Sequence, residues 1–257
     1  MWDCPDFLDL PSRQSKPRQR GLTHVLDKGM SIAALDDLLA QAGDLVDVLK
    51  IGWGIAYVDP SLKERAALCS SAGVTLSLGG TLLEIAVAQG RLVELCRWAE
   101  AAGIEALEVS NGLQALTPQH KSAVVQALCA DFVVLAETGA KDDHAPVVTE
   151  HWLAEMEADL AAGARWVIAE GRESGTVGLY DGDGSVRGDL VDAIAARLPV
   201  DRVIFEAPRK AQQAWFVHQV GVETNIGNVP PDEVLALETL RLGLRADTAD
   251  VGLGRPR

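Results

Sequence analysis

The sequence predicts an α/β fold, a single (β/α)8 barrel. Three observations carry this. Short apolar runs alternate with helical patterns eight times over 257 residues, which is near the size of one such barrel. Strands that alternate with helices imply a parallel sheet. Most of the apolar runs stop at charged or glycine residues, as barrel strands do at their catalytic ends.

Residues 1–20 are read as an irregular lead-in, with Pro5, Pro11 and Pro17 and a basic stretch from Arg13 to Arg20. The barrel is expected over 21–248, with 249–257 as a tail. Leu22–Leu26 is the first expected strand and ends at Asp27-Lys28-Gly29. Ser31 then caps a helix to about Ala42. Val46–Leu49 ends at Lys50, ahead of Gly52-Trp53-Gly54, and a helix over Ser61–Ser71 stops at Gly73. Val74–Leu78 ends at Gly79-Gly80-Thr81 and precedes helical stretches Leu82–Gln89 and Leu92–Ala102.

Ile104–Val109 ends at Ser110-Asn111-Gly112. Thr117 and Pro118, a cap and a first-turn proline, open a helix to about Ala130. Phe132–Ala136 ends at Glu137-Thr138-Gly139, with Lys141 just beyond, and Thr149–Ala162 is a long helix. Trp166–Ala169 ends in the densest cluster of the chain, Glu170-Gly171-Arg172-Glu173-Ser174-Gly175. A glycine-rich loop follows, then a helix over Asp189–Leu198. Val203–Phe205 ends at Glu206-Ala207-Pro208-Arg209-Lys210, before a helix over Gln212–Val220. Glu223–Ile226 ends at Gly227-Asn228, and Pro231-Asp232 opens the last helix, to about Leu244.

Composition excludes several classes. A hydrophobic fraction of 48% supports a large core. A net charge of −14 argues against nucleic acid and anionic membrane as partners, since phosphate surfaces repel it. The four cysteines form no CxxC pair, and no transmembrane run or signal-like N-terminus is found, so a reduced cytoplasmic setting is expected. GxGxxG, Walker and GxSxG patterns are absent, and the histidines lack zinc spacing. The Asp-Gly-Asp-Gly run at 181–184 lacks the length and final Glu of a calcium loop.

In a barrel all strand ends meet at one face, so Lys28, Lys50, Lys141, Arg172, Arg209 and Lys210 are expected to converge there. They would be joined by Asp27, Glu137, Glu170, Glu206, Ser174 and Asn228. Lysine and arginine hold phosphate, sulfonate and carboxylate groups. Asp and Glu oxygens suit a hard ion such as Mg²⁺. A site with both suits a polyanionic substrate with magnesium.

Several stretches resemble the phosphosulfolactate synthase family: Lys16–Thr23 (KPRQRGLT), Asp27–Gly29 (DKG), Lys50–Gly54 (KIGWG) and Gly79–Glu84 (GGTLLE). Glu170–Gly175 (EGRESG), Phe205–Pro208 (FEAP), Asn225–Asn228 (NIGN) and Leu237–Arg245 (LETLRLGLR) continue the match, which runs in order over about residues 16–248. The resemblance implies a homo-oligomeric barrel that adds sulfite to phosphoenolpyruvate with Mg²⁺, giving (R)-2-phospho-3-sulfolactate, the first step of a route to coenzyme M. It implies Lys141 as the acid that protonates C2, with phosphate binding as the other role open to it, and Lys28 is taken as a second catalytic residue that is also a candidate for holding phosphate or sulfite. Lys50, Arg172, Ser174, Arg209, Lys210 and Asn228 would bind substrate, and Glu137, Glu170, Asp27 and Glu206 are the candidate metal ligands. The chain departs from the family pattern at Asn111, Ile55 and Ala246, where an aspartate, a small hydroxyl residue and a glycine are expected. Two other readings stay open on the sequence: a barrel enzyme using another enolate of this kind, and a non-catalytic relative acting in stress tolerance.

Overall fold

The computed structural model describes residues 7–113, 116–139 and 146–253. Eight parallel strands close into a barrel in chain order: β1 (Thr23–Asp27), β2 (Val48–Ile51), β3 (Thr75–Leu78), β4 (Ala106–Val109), β5 (Val133–Thr138), β6 (Trp166–Ala169), β7 (Val203–Glu206) and β8 (Asn225–Val229). Pairing of β8 with β1 closes the ring. Parallel neighbours need a crossover, and helices supply it.

These helices are α1 (Ile32–Ala42), α2 (Ile55–Val58), α3 (Leu62–Ser71), α4 (Gly80–Ala88), α5 (Leu92–Ala102), α6 (Pro118–Leu128), α7 (Thr149–Ala162), α8 (Gly188–Arg197), α9 (Lys210–Gln219), α10 (Val234–Arg241) and α11 (Ala249–Gly252). Their ends follow local chemistry. Ser31 accepts the Ala34 amide and Thr117 the His120 amide, each satisfying one of the free donors of a first turn. Gly163 stops α7 at φ +113°, a conformation closed to most L side chains.

Two apolar layers result. Outward-facing strand residues such as Val25, Leu49, Leu76, Leu107, Val134, Val167 and Phe205 pack against the helices in the main core. A second, smaller cluster fills the barrel: Val48, Ala106, Leu135, Ile168 and Ile204, with Trp166 against it. Side chains two apart on a strand share a face. The inward residues two positions farther along these five strands are therefore Lys50, Glu108, Glu137, Glu170 and Glu206. The small apolar cluster is the plug on which a charged layer rests.

This corrects the strand ends expected from the sequence. Lys50, Glu137, Glu206 and Asn228 were expected just after their strands, but they lie within β2, β5, β7 and β8. A charged residue reads as a strand end only if it faces water. Here the ladder continues because the charges face one another inside the ring. Likewise α4 starts at Gly80, earlier than Leu82, and Ala249–Gly252 forms a turn of helix where a tail was expected.

The basic lead-in is structural. The Arg13 guanidinium meets Glu238 at 2.9 Å and the Gly21 carbonyl at 3.0 Å. Arg18 meets Asp47 at 3.1 Å and the Asp44 carbonyl at 2.7 Å. Fully buried Arg241 donates to the carbonyls of Val222, Thr224 and Leu22 at 2.6, 2.7 and 3.0 Å. These cations tie the lead-in and α10 to the segments entering the strands, opposite the charged layer.

Candidate active site

At the C-terminal ends of the strands lies a cavity of about 290 Å³. Its floor is the charged layer, and every member of it is at least nineteen-twentieths buried. The Lys50 ammonium sits 2.9 Å from Glu206 Oε1 and 3.1 Å from Glu108 Oε2. Glu108 Oε1 accepts the Gly80 amide at 3.2 Å, at the first turn of α4. Glu206 Oε2 accepts the amides of Gly171 and Arg172 at 2.9 and 3.0 Å, and Glu170 Oε1 accepts the Arg172 amide at 2.7 Å. Arg172 has φ +55°, so successive amides turn inward and form a small anion nest that fixes two carboxylates at once.

Glu137, Glu170 and Glu206 each bring a carboxylate oxygen to within 4.8 Å of the others. Three hard oxygen donors that close, and buried, are a donor set for Mg²⁺ or Mn²⁺. The charge balance points the same way, because four buried acids share one ammonium and only Glu108 among them is pushed up far enough to stay neutral near pH 7. Burial pushes the Glu108 carboxyl up to about 8, with Glu137 adding to the push and Lys50 opposing it. Burial works against the Lys50 charge, but Glu108, Glu206 and Glu137 outweigh it and hold its pKa well above the ordinary value. Burial also opposes ionisation of Glu206, yet Lys50 and the Gly171 amide keep its pKa below the usual range. His24, at the centre of the barrel, is held neutral by burial and by Lys50.

The loop after β6 folds back onto this floor. The Leu179 amide donates to the Glu170 carbonyl at 2.9 Å. Gly178, at φ +63°, packs so tightly there that a Cβ would overlap the same carbonyl oxygen. The Tyr180 hydroxyl donates to the Glu206 carbonyl, and Gln212 Nε2 donates to the carbonyls of Gly175 and Gly184 at 2.8 and 3.2 Å. Arg172 is therefore carried on a clamped loop.

Of the residues singled out from the sequence, Lys50, Glu137, Glu170, Arg172, Glu206 and Asn228 line the cavity. Asp27 does not, and the expectation that it faces the mouth is corrected. It shares strand parity with outward Val25, meets Arg65 at 2.7 Å, and accepts the Gly29 and Met30 amides at 2.7 Å each. The expected convergence of cations is corrected too. Lys28 and Arg209 are exposed and line no part of the cavity. Lys210 pairs with Asp247 at 2.9 Å, away from it. Ser174 is hydrogen-bonded to Thr176 at 2.8 Å. Lys141 lies outside the described residues. Among those described, Lys50 and Arg172 are the cations of the cavity.

Glu108 was missed in the sequence. It sits inside a strand, where an acid does not mark an end; the signal was its spacing of two from Ala106, matching Val48 and Lys50. Asn111, where an aspartate is expected, exchanges two bonds with Leu116 at 2.8 and 2.9 Å. An amide serves there because it both donates and accepts.

The (2R)-phospho-3-sulfolactate synthase (ComA) family model matches residues 11–247. The phosphosulfolactate synthase of Methanothermobacter thermautotrophicus is 42% identical over 249 residues, covering 95% of this chain and 96% of the relative. That of Bacillus subtilis is 39% identical over 247 residues, covering 95% and 98%. Among solved structures, a 3-hexulose-6-phosphate synthase aligns with a TM-score of 0.54 at 16% identity, over 86% of this chain and 98% of the other. The YdjI aldolase from Escherichia coli K12 aligns with a TM-score of 0.56 at 12% identity, over 92% and 90%. These two likenesses are of fold.

Proposed function

This chain belongs to the phosphosulfolactate synthase family, and from that premise we propose that it adds sulfite to C3 of phosphoenolpyruvate, with Mg²⁺ held by Glu137, Glu170 and Glu206. The observation that carries the proposal is the trio of buried carboxylates with oxygens within 4.8 Å of one another. Both substrates are anions, and a floor of four acids about one lysine, with Glu108 holding its proton, repels them. Held by Glu137, Glu170 and Glu206, Mg²⁺ would supply positive charge that attracts the substrate carboxylate and favours the electrons that group gains during addition.

The residues divide the remaining work. The S–C3 bond forms as the C2–C3 π pair moves onto C2 and the carboxylate, and a proton then enters at C2. Lys141 is the acid in this reading, on the family resemblance alone. Arg172 holds substrate oxyanions through its guanidinium, and its amide keeps Glu170 and Glu206 in place. Lys50 donates to Glu206, is ion-paired with Glu108, and sets the floor's geometry. Lys28, Ser174 and Arg209 would reach substrate only through loop movement, and Lys210, paired with Asp247 at the start of α9, takes no part. The same reading makes the enzyme a carbon–sulfur lyase at the head of a coenzyme M route, working in the cytoplasm as a homo-oligomer. No helix among the described residues is long and apolar enough to cross a membrane.

The test is phosphorus NMR of purified protein with phosphoenolpyruvate, sulfite and Mg²⁺. A new phosphate ester that needs sulfite and vanishes with EDTA is the expected result. No new ester overturns the proposal, and phosphoenolpyruvate consumed without sulfite points to a different enolate reaction.

A further inference from the structure

Behind the barrel wall, on α6, Lys121 is 1% exposed. Its ammonium donates to the backbone carbonyl of Glu137 at 2.7 Å, to Glu155 Oε1 at 2.6 Å and to Asp159 Oδ2 at 2.7 Å. An ammonium has three donors, and all three are used. Both acids come from α7, so one side chain joins α6, β5 and α7.

The place of contact is informative. Pairing of β4 with β5 ends at Val109 and Ala136, so Glu137 lies one residue past the last partner on that edge. On the other edge, the Thr138 carbonyl still accepts the Glu170 amide at 3.0 Å. The β5 strand thus reaches its cavity carboxylate with one edge held by β6, while on the other edge the Glu137 carbonyl, beyond the last β4 pair, is held by Lys121. A buried ion pair adds little stability over well-packed apolar side chains. An apolar side chain at 121, however, has nothing to offer the Glu137 carbonyl.

We propose that Lys121 is a positioning residue for the metal site, holding the Glu137 carbonyl beyond the last β4 pair and so fixing the backbone from which Glu137 reaches the ion. This rests on the reading of Glu137 as a metal ligand. Groups of this kind, which orient a ligand without touching the metal, change metal affinity about 10–100-fold when removed.

The experiment titrates the full chain with Mn²⁺ alone, followed by electron paramagnetic resonance, with thermal unfolding by circular dichroism alongside. The variants are Lys121→Met and the double variant Lys121→Met/Asp159→Leu, which leaves no lone acid at 159. We expect Mn²⁺ affinity to fall about tenfold or more in both, while the double variant unfolds near the wild-type temperature. Wild-type affinity in a folded variant overturns the positioning role, even if the unfolding temperature has dropped. Failure of both variants to fold overturns it as well, because Lys121 is then a residue of the scaffold. Glu137→Gln separates the two readings: if it binds Mn²⁺ as tightly as wild type, or if wild type binds none, the metal assignment itself is wrong.

Discussion

On one side of the mouth, β4, β5 and β7 each carry an inward carboxylate, and β6 delivers one just past its last residue: Glu108, Glu137, Glu206 and Glu170. On the other side, β8, β1 and β2 bring Asn228, Leu26 and Lys50, and the turn after β3 brings Gly79 and Gly80. Asp27 could have supplied an acid on β1, but it faces outward and is held by Arg65. The acids are thus confined to one arc. An ion on that arc leaves a carboxylate-free wall facing it, where an anionic substrate can lie.

The largest effect should come from cutting the link between the two arcs. Glu206→Ala leaves the Lys50 ammonium and two amides short of an acceptor inside the barrel. We expect a loss of about 3–5 kcal/mol in urea unfolding, with activity abolished; a loss under about 1 kcal/mol would show that the arcs are held independently.

Next is the pH response of metal-free protein. The folded-state pKa of Glu108 is raised to about 8 from an ordinary 4.5. Between these values the folded chain keeps a proton that the unfolded chain has lost. Stability should therefore fall as pH rises from about 5 to 8, by up to about 1.4 kcal/mol per pH unit, and level off above. Unfolding in EDTA should show this slope in wild type and a flatter one in Glu108→Gln. A wild-type slope in the variant would move the proton elsewhere in the acidic arc.

A smaller effect separates side chain from backbone at Arg172. Arg172→Ala keeps the amide nest and removes the guanidinium, so KM for phosphoenolpyruvate should rise about tenfold, roughly 1.4 kcal/mol, with Mn²⁺ binding unchanged. Weakened Mn²⁺ binding would mean that the guanidinium also supports the acidic arc. At the bottom of the scale, Lys210→Ala breaks an exposed pair with Asp247, and steady-state rates and the melting temperature should both stay at wild-type values.

The barrel was legible because apolar runs and helix caps recur, and Ser31, Thr117-Pro118 and Gly163 mark real helix ends. The charged layer was only half legible. Glu137, Glu170 and Glu206 stood at apparent strand ends, whereas Glu108 was hidden in mid-strand. Proximity along the chain also misled at Asp27, one residue from inward Leu26 and therefore on the opposite face. Lys28 and Arg209 follow strand ends in sequence but sit on bends that carry them to the surface, and Lys210 opens α9 with its side chain exposed. Lys121 left no signal at all, since a lysine on a helix normally faces water.

Trp53, Arg172 and Asn228 share φ values of +52°, +55° and +54°, and all three border the cavity. They are an indole, a guanidinium and a carboxamide with one backbone shape in common. Such a shape costs an L residue about 1 kcal/mol or more, and the surrounding structure must impose it. The aperture is therefore framed by main-chain handedness at three corners, and side chains hang from that frame as exchangeable fittings. A change of fitting alters what enters, while the doorway keeps its width.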